Sequence, residues 1–158
     1  MKLRIHVLWR VPMFCFVSSW ISYYVTVYLG GRFFTVSTVG TDGIIELSAD
    51  PLRSAVFHGL LFLFILLLGG LWAFRSMTKA EICVSAAITS AVYLGIALAQ
   101  MCIPSFPLSL SIKLAMLQNW TGTISSFLMK LTNHLPLSVL LSNLAPFLYV
   151  PFGKNAAE

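Results

Sequence analysis

Residues 54–74, SAVFHGLLFLFILLLGGLWAF, contain no Asp, Glu, Lys or Arg. At 1.5 Å rise per residue, about 20 such positions match a hydrocarbon layer of roughly 30 Å. Two more stretches have this form: residues 11–31, VPMFCFVSSWISYYVTVYLGG, and the run from Ile82 past Met101 that Pro104 and Pro107 interrupt. A chain with three such runs has few ways to fold in water. Of its 158 residues 58% are hydrophobic and 9% charged, with mean hydropathy +0.89, against roughly a quarter charged in ordinary soluble domains. The expected solvent for most of the surface is therefore lipid.

Local signals place the ends of these helices. Gly30-Gly31 should stop the first, and Asp50-Pro51 offers an N-cap followed by proline at the first helical position of the second. Thr78-Lys79-Ala80-Glu81 has the S/T-x-x-E form of a capping box and should open the third. The link around Arg75, Ser76 and Met77 is short, which predicts that the second and third helices are antiparallel neighbours. The leader MKLRIHVLWR is basic, but the apolar run behind it carries Trp20, Tyr23, Tyr24 and Tyr28 and lacks a small-residue cleavage site. It reads as an uncleaved anchor.

The last third is less regular. Residues 114–129 lie between Lys113 and Lys130 and contain Gln118, Asn119, Thr121, Thr123, Ser125 and Ser126. That is short and polar for a span, so an interfacial or re-entrant helix is predicted over about 108–131. Residues 135–152 are charge-free and can cross, with Asn133 as the expected cap and Pro146 as a kink. The predicted fold is an all-α membrane protein: one polytopic domain and a four-helix transmembrane bundle with spans at about 11–30, 52–74, 80–103 and 135–152. Five spans is the alternative.

Orientation follows from the cations. Lys2, Arg4 and Arg10 precede the first run and Arg75 and Lys79 follow the second, whereas the intervening loop holds Asp42, Glu46 and Asp50 against Arg32 and Arg53. This predicts a cytoplasmic N-terminus and an external loop. Trp9 and Trp72 would lie near the inner interface, and Tyr28, Phe33 and Phe34 near the outer one. Four spans put Lys154 inside and five put Lys130 inside, so charge does not decide the count. Short loops and a basic leader suit a bacterial plasma membrane.

The external loop, residues 32–48, is rich in Thr, Val, Phe and Ile around Gly40-Thr41-Asp42-Gly43. This predicts a small β-hairpin between helices 1 and 2, with strands near 33–39 and 44–48. Two strands are marginal in water, so the hairpin should rest on something. Packing on its own bundle as a lid is favoured over an edge that recruits a partner strand.

Chemistry finds few footholds. The spans hold no carboxylate, lysine or arginine, and Cys15, Cys83 and Cys102 form no C-x-x-C. No spacing gathers metal ligands, and no nucleophile elbow or phosphate-binding glycine loop occurs. No catalytic residue, metal or cofactor is assigned, and the scattered cations form no nucleic-acid stripe. An enzyme could be built only from Asp42, Glu46, Asp50 and His58. Asn119-Trp120-Thr121 matches a glycosylation sequon, a frequent chance pattern.

Two packing patterns remain. Cys83, Ala87, Ala91, Gly95 and Ala99 recur every four residues, a small-residue stripe expected to pack against the chain's other helices in preference to a second protomer. The amides Gln100, Gln118, Asn119 and Asn143 could glue helices together or line a site for a small solute. The first reading is thus a non-enzymatic accessory or assembly subunit in the bilayer, with a protein partner or a second copy. The alternative is a small-solute transporter, and a cavity lined by the amides would distinguish it.

Overall fold

The computed structural model of the protein describes residues 4–39, 45–103 and 107–155. It is an all-α bundle carrying one two-stranded antiparallel hairpin, and four of its helical stretches are long and apolar enough to cross a membrane: Ile5–Phe34, Pro51–Ala73, Lys79–Gln100 and Leu135–Phe152.

The first stretch begins with a 3-10 turn, Ile5–Val7, and continues as α1 (Arg10–Val25). Gly30 and Gly31 do not end it. A π-helical turn, Thr26–Gly30, leads into α2 (Gly31–Phe34) with both glycines in right-handed helical conformation. A Cβ on Gly30 would lie 2.6 Å from the Phe34 ring, so this glycine seats an aromatic side chain instead of breaking the helix. Because Phe33 and Phe34 complete the helix, the strands start late, as β1 (Thr35–Val39) and β2 (Ile45–Ala49), in the register Thr35↔Ala49 to Val39↔Ile45. The expected turn at Gly40–Gly43 lies outside the described residues.

Helix α3 (Pro51–Leu68) opens as predicted. The Asp50 carboxylate accepts from the backbone N–H groups of Leu52 and Arg53 at 2.9 and 3.1 Å, and Pro51 occupies the first turn. A π-helical stretch, Gly69–Ala73, extends it to the turn before α4 (Lys79–Cys102). The capping box of α4 forms in full: Glu81 N donates to Thr78 Oγ1 and Thr78 N donates to Glu81 Oε2.

The expectation that α3 and α4 are neighbours is not met. Helix α4 packs mainly on α1 and on a C-terminal 3-10 helix, Ala145–Phe152, which also contacts the Gly69–Ala73 stretch. The 3-10 helix is thus a wedge between α3 and α4. Gly69 and Gly70 admit it: a Cβ on Gly69 would meet the Tyr149 ring at 2.6 Å, and one on Gly70 the Phe152 ring at 2.5 Å. A short connection brings helix ends together but cannot hold the rest of two helices side by side when a third element fits better.

Between α4 and the wedge run three further helices. α5 (Leu108–Leu117) follows Pro107, α6 (Asn119–Thr132) follows a break at Gln118, and α7 (Leu135–Asn143) precedes the 3-10 helix at the Pro146 kink site. Asn133 is not the cap of α7. It ends α6 at φ 50, the left-handed conformation in which asparagine is tolerated, and the His134 ring nitrogen accepts from Leu137 N instead.

Hydrogen bonds fix the path of α5 and α6. Gln100, near the end of α4, donates to Ser111 in α5, whereas Gln118, after α5, donates to the Tyr93 carbonyl lower on α4 at 2.8 Å. Helix α5 therefore runs back along α4 for about 10 Å. Trp120, at the start of α6, stacks on Phe62 of α3, and Ile124 and Phe127 then share a groove with Ser54 and His58 near the start of α3. The segment enters the bundle from the hairpin end, turns at Gln118–Asn119 and returns toward the same end.

The opposite end is a clasp. Lys154 N donates to Met77 O and Lys79 N donates to Lys154 O, at 2.9 and 3.0 Å, and Arg4 reaches Glu81 from the N-terminal side. Both ends of the described chain and the α3–α4 turn therefore meet at one end of the bundle.

The core is a stack of rings. Trp120, fully buried, lies between Phe62 and Tyr149 with ring centres 5.3 Å away on each side, and Tyr149 meets Phe74 edge-on at 4.8 Å. Around it the usual sorting is inverted. Ser18, Ser19 and Ser22 of α1, Ser85, Thr89 and Ser90 of α4, and Ser138 and Ser142 of α7 are buried. Val17, Ile21, Leu60, Phe64, Val84, Ile88, Val92, Leu137 and Leu141 are exposed.

Candidate functional site

Glu81 is the one buried carboxylate among the described residues. It accepts from Arg4 Nε and Arg4 Nη2, both at 2.8 Å, and from Thr78 N at 2.9 Å. The hydrogen bond to Glu81, and then its charge, push the already high pKa of Arg4 further up. Arg4 Nη2 and Arg10 Nη1 also donate to Ser76, to its carbonyl and hydroxyl. With Arg4 N donating to Glu81 Oε1 as well, at 3.3 Å, both carboxylate oxygens are engaged by the fold, and the arrangement locks the N-terminal turn to α4.

The four amides are dispersed. Gln100 ties α4 to Ser111 of α5, Gln118 ties the break to α4, and Asn119 Nδ2 donates to Ser22 Oγ of α1 at 3.0 Å. Asn143, buried in α7, has no partner for its Nδ2 among the described residues. Three of the four thus join helices. The sequon at Asn119 lies in the bundle interior, beside a Trp120 with no exposed surface.

The small-residue stripe faces the other way from expectation. Cys83, Ala87, Ala91 and Gly95 are exposed and Ala99 is half-buried, and a Cβ on Gly95 would meet nothing within 4 Å. The inward face of α4 is instead Ile82, Ser85, Ala86, Thr89, Ser90 and Tyr93. Ser85 Oγ donates to the Leu8 carbonyl of the N-terminal segment, and Glu81 must reach Arg4, which together rotate α4 onto this face. The missed signal was the hydroxyl spacing: Ser18/Ser22, Ser85/Thr89 and Ser138/Ser142, each four apart in an apolar run. Small hydroxyl residues allow close backbone approach and hydrogen bond across or within helices.

His58 spends its Nδ1 on the Ser54 carbonyl at 2.8 Å, and Asp50 is the cap of α3. Asp42 lies outside the described residues. Among the described residues no three His, Cys, Asp or Glu side chains come together as a metal site.

The hairpin is the feature the bundle does not absorb. Directly opposed residues share a face, so Thr35, Ser37, Val39, Ile45, Leu47 and Ala49 line one side of the ribbon, apolar toward its tip, and Val36, Glu46 and Ser48 line the other. Val39, Ile45 and Leu47 are 72%, 68% and 74% exposed, and all of β2 is exposed. The ribbon is therefore not a lid on its own helices. Only Val36 is half-buried among its described side chains. An apolar face and two open edges stand at the end of the bundle opposite the clasp.

No family model matches the chain, and no curated protein or solved structure matches it either.

Proposed function

We propose that this chain is a multi-pass integral membrane protein of a bacterial plasma membrane, its N-terminus cytoplasmic, that serves as a non-enzymatic accessory or assembly subunit and presents its hairpin to a protein partner. The membrane reading is supported by the inverted sorting, with hydroxyls within and large aliphatic side chains without. In water that arrangement would expose apolar surface far beyond the few hundred Å² that monomers tolerate. In lipid it is the stable one, because hydroxyls need partners and aliphatic groups do not.

The observation that carries the subunit reading is the uncovered ribbon. Two strands do not hold alone in water, and the described residues leave Val39, Ile45 and Leu47 of this pair uncovered. A partner surface or strand completes it. Three of the four amides that could have served a solute, Gln100, Gln118 and Asn119, are engaged between helices, which weighs against transport. The test is a photo-crosslinking residue at Leu47 in native membranes, with Ser48 on the opposite face as control. An adduct to another protein from Leu47 and not from Ser48 is expected; no adduct from either position refutes the partner.

A further inference from the structure

A groove of 660 Å³ runs along the outward side of α3, and its walls are Phe33, Phe57, Leu60 and Phe64 with Arg53 at its head. The volume lies within the roughly 300–1,000 Å³ of small-molecule sites. Phe33 from α2 packs on Phe57 with ring centres 5.8 Å apart, which makes a fixed wall against the helix. Leu60 and Phe64 continue down the same face and are 63% and 64% exposed. From Arg53 to Phe64 the helix descends about 16 Å, half of a hydrocarbon core of roughly 30 Å. The groove is one leaflet deep.

Charge marks the head of the groove. Asp50 uses Oδ1 on two backbone N–H groups of α3, and its Oδ2 stands 3.5 Å from Arg53 Nε. The terminal nitrogens of Arg53 have no partner among the described residues, and neither has Arg32, the neighbour of Phe33 in sequence. The Arg53 guanidinium therefore keeps its terminal nitrogens open beside one carboxylate that is already shared with a helix N-terminus, above a chain-length apolar trough. This is complementary to a phosphodiester carrying acyl chains.

Resting on the membrane reading above, we propose that this groove holds one acyl chain of an anionic glycerophospholipid from the leaflet on the hairpin side, with its phosphate on Arg53. The lipid is a specific ligand, distinct from those that merely surround the bundle. A charge-assisted hydrogen bond of this kind corresponds to about tenfold or more in affinity.

The test uses the full chain in mild detergent, mixed with equal amounts of phosphatidylglycerol and phosphatidylcholine of identical acyl chains, and native mass spectrometry of retained lipid. The wild type should retain phosphatidylglycerol over phosphatidylcholine by about tenfold. Arg53→Gln should abolish the preference, and Leu60→Trp, which fills the trough, should lower retention of both. Excess glycerol phosphate should not displace the lipid. Equal retention by the wild type, a preference that survives Arg53→Gln, retention unchanged by Leu60→Trp, or displacement by glycerol phosphate overturns the proposal. Alkaline extraction of the membranes keeps the two readings apart. A chain that washes out sinks the membrane reading, whereas one that stays but shows no lipid preference sinks only the groove.

Discussion

Replacing Trp120 by alanine tests both the core and its solvent. The indole is fully buried and stacked on two sides, at 7° to Phe62 and 23° to Tyr149. In a water-soluble core such a truncation costs about 3–5 kcal/mol, most of it lost transfer from water plus a residual cavity. On the membrane reading proposed above, the unfolded reference remains in lipid or detergent, where the indole is already in apolar surroundings, so most of the transfer component cancels. What is left is the two stacking contacts, each about 0.5–1.5 kcal/mol, together about 1–3 kcal/mol. Because Trp120 Nε1 has no hydrogen-bond partner among the described residues, Trp120→Phe should lose less than alanine does, under about 1 kcal/mol. The assay is reversible unfolding in mixed micelles with increasing SDS, followed by far-ultraviolet circular dichroism. An alanine variant within about 0.5 kcal/mol of wild type would show that the stack does not hold the re-entrant segment. A loss well above 3 kcal/mol would show that a water-like transfer term operates, against a lipid-exposed bundle.

The clasp and the ends of the helices give further tests. Arg4→Gln should lower the unfolding midpoint more than Glu81→Gln, because it strands a buried carboxylate, whereas the half-exposed guanidinium left by the second change can turn to solvent; the reverse order refutes this. Gly153→Ala places a methyl 2.8 Å from Lys79 N and 2.9 Å from Lys79 Cα, so it should free the C-terminal segment, seen as faster proteolysis near Lys154. Asp50→Ala removes two capping bonds of α3 and should cost about 0.5–2 kcal/mol in the same micelle assay. Reporter fusions after Met77 and after Lys154 should report the same side of the membrane; opposite sides would break the four-traversal path.

What could be read from the sequence was whatever one helix settles alone. Span lengths follow from charge-free runs, and the Asp50 and Thr78 caps are local exchanges between a side chain and its own backbone. The polarity of residues 114–129, with amides and hydroxyls in a short run, set that segment apart from the long apolar helices. Helix neighbours were not legible. Apolar periodicity says which face avoids water, and where the outside is apolar too it no longer says which face is inside. The alanine and glycine positions of α4 looked like the contact surface for that reason, yet the inward face was chosen by Ser85 and Glu81, whose partners Leu8 and Arg4 are far away in sequence. Gly30 and Gly31 misled similarly: the reason for a glycine at 30 is the ring of Phe34, a packing fact and not a turn. The hairpin was expected from its strand-forming residues, but its bareness depends on what the helix ends fail to cover.

The wedge has a consequence for how the molecule is made. The segment 145–152 follows α1 to α7, yet it occupies the space between two helices that the ribosome finishes much earlier. Until it arrives, α3 and α4 flank an unfilled slot lined by Gly69 and Gly70, and the nascent bundle stays open. Closure is thus a late event in biosynthesis, and a polypeptide cut short before Tyr149 would present the cell's proteolytic surveillance with a gap where the keystone belongs.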